Sequence, residues 1–115
     1  MTQKRVSKSY LEKLKDMANL DYEKLATALA VTRATLIKKK KQEKFNASLS
    51  ERILAMAALY DYGFKVFEDN EKLNRWVAAP NRALGGKAPF DIIHSHFGGE
   101  EVKNILGRIE YGVYS

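Results

Sequence analysis

The first residues that could carry chemistry are two nearby histidines, His94 and His96, with Glu100 as a third possible metal ligand. Side chains at positions i and i+2 of a helix point to different sides. The chain also has no other histidine and no cysteine to complete a coordination sphere. Ser95, between the histidines, has no spacing typical of a catalytic nucleophile. We therefore predict no metal site here and interpret both histidines as helix-capping or surface residues.

A second candidate for chemistry is Leu84-Gly85-Gly86-Lys87, which has the glycine and lysine of a phosphate-binding loop. Such a loop has an earlier glycine where this chain has Asn81, and a serine or threonine where it has Ala88. The match is therefore poor, and we predict neither an enzyme nor a cofactor. Function has to be sought in binding.

Residues 20–41 have the pattern of a helix-turn-helix, two helices that meet at a tight turn. The apolar positions of this pattern are Leu25, Ala26, Leu29, Val31 and Leu36. Ala30 stands where the turn usually has glycine, and Lys39 stands where another core residue is common. A plain helical hairpin is therefore an alternative interpretation of the same residues.

In a helix-turn-helix, the start of the second helix reads bases in the major groove, and basic side chains bind phosphates. Arg33 could contact a guanine through two hydrogen bonds. The four consecutive lysines 38–41 spread around a helix, so they cannot all reach one groove. The alternative for them is a solvated helix end. The predicted DNA-binding residues are Thr32, Arg33, Thr35, Lys38, Lys39 and Lys41.

Charge is distributed unevenly along the chain. Residues 1–45 contain twelve Lys and Arg against five Asp and Glu, whereas residues 46–115 contain eight against nine. A basic first part suits a polyanion, and a nearly neutral second part suits a protein partner. This asymmetry suggests two binding functions.

Hydrophobic periodicity predicts helices throughout the first part, and no segment alternates as a strand would. We expect a first helix near residues 10–18, a second capped by Asp21, and a third from Thr32 to about Lys41. Ser48-Leu49-Ser50-Glu51 has the form of a capping box. It is followed by a long helix that is apolar around much of its surface and should be buried on more than one face.

Shorter helices are predicted after this long one. A helix starts at Asp69 or Asn70 and ends at Pro80, and a loop follows. Pro89 begins the next helix, which we expect to end at Gly98-Gly99, with Glu100 and Glu101 in the first turn of the last helix. The apolar face of that last helix comprises Val102, Ile105, Leu106, Ile109 and Val113.

Composition places the chain among globular proteins. It has 115 residues, of which 45% are apolar. No apolar run approaches the roughly 20 residues of a membrane span, and no apolar signal region follows the first residues. We expect a soluble, cytoplasmic protein.

The order of elements after Trp76 resembles a known family. The matching positions are Trp76, Pro80-Asn81, Leu84-Gly85-Gly86, Pro89, residues 98–102 and residues 106–113. They resemble the C-terminal domain of the Xre/MbcA/ParS antitoxins of bacterial toxin–antitoxin pairs, and residues 20–41 resemble the Xre-type helix-turn-helix. The implied fold is all-α, with a DNA-binding module at residues 1–47 and a toxin-binding and dimerisation domain at residues 48–115.

The resemblance implies a homodimeric type II antitoxin that neutralises a cognate toxin and represses its own operon. Toxins of this kind commonly have a RES domain that acts on NAD, and the C-terminal segment of the antitoxin obstructs the active site. Carried onto this sequence, the toxin-binding residues are Arg108, Glu110, Tyr111, Tyr114 and Ser115.

Alternatives to this function remain open. The chain could be a DNA-binding transcriptional or plasmid-maintenance factor without a toxin, or the helix-turn-helix could be degenerate and bind no DNA. From the residues alone, Tyr111 and Tyr114 could also fold back onto the core of the protein itself.

Overall fold

The computed structural model describes residues 4–112 and confirms the all-α prediction. Within these residues, seven α-helices and one 3-10 turn follow in order: α1 Lys8–Met17, α2 Tyr22–Leu29, α3 Arg33–Ile37, α4 Ala47–Phe67, α5 Asn70–Ala78, the 3-10 turn Arg82–Leu84, α6 Pro89–Ile92 and α7 His96–Glu110. Within the described part, no helix is both long and apolar enough to cross a membrane. The chain divides into two compact units between Ala57 and Ala58. This division falls inside α4, whereas the sequence placed the boundary at the start of that helix.

The first unit contains α1, α2, α3 and the first half of α4. Each of the three short helices begins at a residue whose side chain accepts a hydrogen bond from a free backbone amide: Ser7 from Tyr10, Asp21 from Lys24 and Thr32 from Thr35. The side chains buried in its core include Leu11, Leu14, Leu25, Leu29, Leu36, Phe45, Leu49 and Ile53. The helices are thus defined by their caps and held together by leucine-rich faces.

Two predicted helix boundaries in this unit are wrong. Helix α3 ends at Ile37 instead of near Lys41. The lysines after it form a turn in which the Lys40 amide donates to Glu43 Oε1 at 2.8 Å. Helix α4 begins at Ala47, because Asn46 Oδ1 accepts from the amide of Leu49 at 2.8 Å, and Ser48 therefore lies inside the helix instead of capping it.

The second unit contains the end of α4 together with α5, α6 and α7. Asp69, one of the two starts that the sequence allowed, caps α5 by accepting from the amides of Glu71 and Lys72. Gly63 allows α4 and α5 to approach closely, because a Cβ there would lie 2.6 Å from Leu73 Cδ1. The buried side chains of this unit include Tyr60, Leu73, Val77, Pro89, Val102, Ile105 and Leu106.

The boundary between α6 and α7 also differs from the prediction. Helix α6 is a single turn that ends at Ile92, and α7 begins after Ser95, whose hydroxyl accepts from the amide of Gly98 at 3.0 Å. Gly98 and Gly99 therefore lie in the first turn of α7 and do not end a helix. A Cβ on Gly98 would lie 1.8 Å from the carbonyl oxygen of Ile92, so this glycine permits a close approach of two backbone segments.

Candidate functional site

Helices α2 and α3 pack against each other through a tight turn in the first unit. Ala30 ends α2 in the left-handed conformation, with φ 57° and ψ 45°. The amide of Val31 then donates to the carbonyl of Ala26 at 3.0 Å, and Leu36 is fully buried. Ala30 thus adopts the conformation for which such turns usually use glycine. The geometry is that of a helix-turn-helix.

The predicted base-reading residues lie together at the start of α3. Thr32, Arg33 and Thr35 are all exposed. The two threonine hydroxyls lie 2.8 Å apart, and that of Thr32 also accepts from the amide of Thr35 at 3.3 Å. Part of their hydrogen-bonding capacity is therefore used to cap the helix. Arg33 has the longest side chain of this group, so its guanidinium can reach furthest toward a ligand.

The predicted phosphate-binding lysines lie after the end of α3. Lys38 caps the helix C-terminus, and Lys39 to Lys41 belong to the turn that follows. Lys38 and Lys41 are exposed, whereas Lys39 is half-buried. The six predicted DNA-binding residues thus form two neighbouring groups, one at each end of a five-residue helix.

In the second unit, the predicted toxin-binding residues Arg108, Glu110 and Tyr111 lie at the exposed end of α7. Tyr111 is 81% exposed, so the alternative that it folds back onto the core is wrong. Glu110 Oε1 accepts a hydrogen bond from the Tyr62 hydroxyl at 2.9 Å, and this bond raises the pKa of Tyr62. Glu110 therefore ties the end of α7 to α4. Tyr114, Ser115 and Val113 lie outside the described residues.

Phe97 is exposed, although it is not among the predicted binding residues. Its side chain is 74% exposed near the start of α7. The helix predicted from Pro89 to Gly98-Gly99 would have included it. Because α7 instead begins after Ser95, the helical phase changes and Phe97 points away from the buried face. Only the correct start of α7 could have revealed this.

Three residues of α7 and its C-cap, Tyr111, form an exposed stripe along the helix. They are Phe97, Asn104, Arg108 and Tyr111. At 100° per residue these positions lie within an arc of about 60°, on the side opposite the buried Val102 and Leu106. We call this set the α7 stripe. It combines two exposed aromatic rings with an arginine, residue types enriched at binding hot spots.

The histidine pair and the glycine loop, which were the first candidates for chemistry, are surface and turn residues in the structure. His94 and His96 are both exposed. Within residues 4–112, no group of three or more His, Asp and Glu side chains could hold a metal ion. In the glycine loop, Asn81 caps the 3-10 turn by accepting from Ala83. Gly85 and Gly86 have φ values of 66° and 90°, which favour glycine. A turn requirement thus accounts for this glycine pair.

Comparison with known families agrees with both units. Residues 1–58 match the antitoxin Xre-like helix-turn-helix domain. Residues 63–112 match the antitoxin Xre/MbcA/ParS C-terminal toxin-binding domain. The chain therefore belongs to the Xre/MbcA/ParS family of antitoxins, as the sequence resemblance suggested, and the interpretation as a plain helical hairpin is wrong.

Two curated relatives carry the name antitoxin Xre. The protein from Photorhabdus laumondii is 34% identical over 73 residues, which cover 63% of this chain and 49% of the relative. The protein from Yersinia enterocolitica serotype O:8 is 32% identical over 73 residues, with the same coverage. This chain thus spans about half the length of the curated relatives that it matches.

A solved structure shares the fold. It is the crystal structure of the M. tuberculosis MbcT–MbcA toxin–antitoxin complex, with a TM-score of 0.73 and 18% sequence identity. The match covers 94% of this chain and 96% of the chain in that structure. The likeness therefore extends over nearly all of the fold.

Proposed function

We propose that this protein is an antitoxin that binds and neutralises a cognate toxin and also binds operator DNA to regulate its own operon. The observation that supports toxin binding is the α7 stripe. It lies inside the domain whose family is described as toxin-binding, and its two rings are largely exposed to solvent. Both activities are binding functions, and both would be exercised in the cytoplasm.

The length of the stripe suits a protein partner. Phe97 and Tyr111 are fourteen residues apart, so about 21 Å of helix separates them. Aromatic side chains bury a large area with little loss of conformational entropy, and Arg108 between them can bind a carboxylate bidentately. We propose that Phe97 and Tyr111 are the anchors of the toxin interface.

The end of α7 supports a specific mode of inhibition. Gly112 has a φ of 72°, which is typical of a residue that ends a helix and redirects the chain. The hydrogen bond between Tyr62 and Glu110 fixes the last turn of α7 just before this point. We propose that the chain from Tyr111 onward enters the active site of a RES-type, NAD-consuming toxin and obstructs it. In this proposal Tyr114 and Ser115 contribute toxin contacts, as the sequence predicted.

The DNA-binding part rests on the geometry of the first unit. Thr32, Arg33 and Thr35 start an exposed helix after a tight turn, and Lys38 and Lys41 follow at its end. We propose that this helix enters the major groove and that the lysines contact phosphates. A homodimer would bind two half-sites about 34–36 Å apart, one turn of DNA.

The toxin interface is tested with the protein product of the gene adjacent to the gene for this chain. Phe97→Ala and Tyr111→Ala should each weaken binding at least about 30-fold if both rings are hot spots. Lys103→Ala is the matched control, because Lys103 is exposed on α7 but lies outside the stripe. Binding of both aromatic variants within threefold of the unchanged protein in biolayer interferometry would refute the stripe. Deletion of residues 112–115 tests the obstruction of the active site separately.

DNA binding is tested with a duplex covering the promoter upstream of the gene. Arg33→Ala should lower the affinity about tenfold or more, because a bidentate base contact is worth about 1–3 kcal/mol. Lys38→Ala should weaken binding to all sequences. It should also reduce the salt slope, which is the slope of log affinity against log salt concentration, by about one. Arg75→Ala, an exposed arginine of the second unit, is the control. Unchanged affinity in the Arg33 and Lys38 variants would indicate a degenerate helix-turn-helix.

A further inference from the structure

Lys8 is a buried lysine that no proposed binding function uses. Only 6% of its surface is exposed, although lysine is almost never fully buried unless its charge is paired. Among residues 4–112, its ammonium group donates to backbone carbonyls and to no carboxylate. Within the same range, the partners of Lys8 Nζ are two backbone carbonyls and one aromatic ring.

The two carbonyls belong to the end of the recognition helix α3 and the turn after it. Lys8 Nζ donates to the carbonyl of Ile37 at 3.2 Å and to that of Lys39 at 3.0 Å. Ile37 is the last residue of α3, so its carbonyl has no partner within the helix. Lys8 therefore caps this helix from a different one, and its positive charge suits the negative end of the helix dipole.

The ring that contacts Lys8 fixes the position of its ammonium. Lys8 Nζ lies 5.2 Å from the centre of the Tyr22 ring, a cation–π distance. Tyr22 is held in turn by a hydrogen bond from its hydroxyl to Glu12 Oε2 at 3.4 Å. Lys15 Nζ lies 4.9 Å from the centre of the same ring, and within residues 4–112 it makes no hydrogen bond to α3.

The backbone of Lys8 holds the same turn. Its amide donates to the carbonyl of Glu43 at 2.9 Å, and the amide of Ser9 donates to the carbonyl of Lys41 at 3.2 Å. A five-residue helix has little stability of its own, since isolated helices shorter than about 12–15 residues are marginal in water. The orientation of α3 and of the lysine turn therefore depends on contacts from outside the helix.

From these contacts we propose that Lys8 is a positioning residue for DNA binding: by capping α3 and holding the lysine turn, it sets the pose of Arg33 against Lys38 and Lys41. This inference rests on the proposed DNA-binding function. Lys8 itself does not contact DNA, because its ammonium is buried against the carbonyls. Its loss should therefore loosen α3 even when no DNA is present.

The test compares Lys8→Met with Lys15→Met. Both substitutions remove one positive charge from α1 and one cation from the Tyr22 ring, and both keep a long apolar side chain. Lys8→Met alone removes the contacts to α3. In the free protein, it should speed hydrogen exchange at the amides of Lys38 and Lys40 about tenfold, because hydrogen bonds to charged groups are the stronger ones. It should weaken binding to the promoter duplex by a similar factor, and Lys15→Met should do neither.

The other results overturn the proposal. Unchanged hydrogen exchange in Lys8→Met refutes the cap. If its affinity for the duplex nevertheless falls and the salt slope decreases by about one, Lys8 contacts a phosphate. Faster exchange with unchanged DNA affinity would make the cap purely structural. Equal losses in both variants would indicate net charge alone. If the unchanged protein does not bind the duplex, the proposed DNA function fails, and positioning for DNA fails with it.

A measurement on the unchanged protein covers the case in which Lys8→Met does not fold. Nuclear magnetic resonance can detect scalar coupling across a hydrogen bond from a lysine ammonium nitrogen to a carbonyl carbon. We expect such coupling from Lys8 Nζ to Ile37 and Lys39, and a signal that exchanges slowly with water. A rapidly exchanging Lys8 signal without coupling would overturn the cap.

Discussion

The two adjacent glycines of α7 should respond oppositely to the same substitution. A Cβ on Gly98 would lie 1.8 Å from the carbonyl oxygen of Ile92 and 2.7 Å from its carbon. A Cβ on Gly99 would meet no atom within 4 Å. Both residues lie in the first turn of α7, so their intrinsic helix propensities are matched. The pair therefore separates a steric requirement from backbone entropy.

The magnitudes follow from these distances. Gly99→Ala should stabilise the protein by about 0.5–1 kcal/mol, the propensity difference between alanine and glycine in a helix. Gly98→Ala has the same favourable change in helix propensity, but its new methyl group meets a backbone oxygen that cannot rotate away. Relief requires the start of α7 to move by more than 1 Å, which disturbs the packing of Val102 and Leu106. We expect a net destabilisation of about 2–3 kcal/mol.

The assay is urea unfolding of both variants. Unfolding is monitored by circular dichroism and by the fluorescence of Trp76 in the second unit. The free energy of unfolding should fall for Gly98→Ala and rise for Gly99→Ala. Equal or inverted effects would refute the close approach of α6 and α7, and with it the start of α7 after Ser95. The position of Phe97 in the α7 stripe depends on that start.

Three further predictions concern stability and are all read from urea unfolding. Ala30→Gly should stabilise the first unit by about 1 kcal/mol, since alanine is strained at a positive φ; a loss of stability would contradict the left-handed turn. Asp69→Ala should lower the free energy of unfolding by about 1 kcal/mol, and Asp69→Asn should lower it much less, because asparagine can still cap the helix. Equal losses of stability in the two variants would exclude the cap. Burial raises the pKa of Tyr60 to about 12, so the folded state favours the neutral phenol. Its contribution to stability is complete below pH 10 and is lost as the pH rises toward 12, by about 3 kcal/mol. Tyr60→Phe should make this fall in stability with pH less steep.

The sequence predicted helices best where a local chemical signal defines them. Asp21, Thr32 and Asp69 were expected to start helices, and each accepts a hydrogen bond from an amide of the first turn. The hydrophobic spacing of residues 20–41 likewise predicted the helix-turn-helix. These signals depend on neighbours within four residues, so the sequence contains them directly.

The sequence failed where distant contacts decide the outcome. Helix α3 ends at Ile37 because carbonyls of its last turn and the turn after it bind Lys8, which is about thirty residues away in the chain. Gly98-Gly99 resembled a helix stop, yet Gly98 is required by its approach to Ile92. The exposure of Phe97 followed from that same error. Periodicity alone could not distinguish a glycine that ends a helix from one that packs against another.

The proposed neutralisation of a toxin by this protein depends on the exposed face of α7. The most direct measurement is growth of cells that express the product of the adjacent gene, alone or together with this chain. We expect the adjacent product to arrest growth, and we expect the unchanged protein and Lys103→Ala to restore it. The double variant Phe97→Ala/Tyr111→Ala, shown to be folded by circular dichroism, should not restore growth. A folded double variant that restores growth fully, or an adjacent product that is not toxic, would contradict the proposed role of α7.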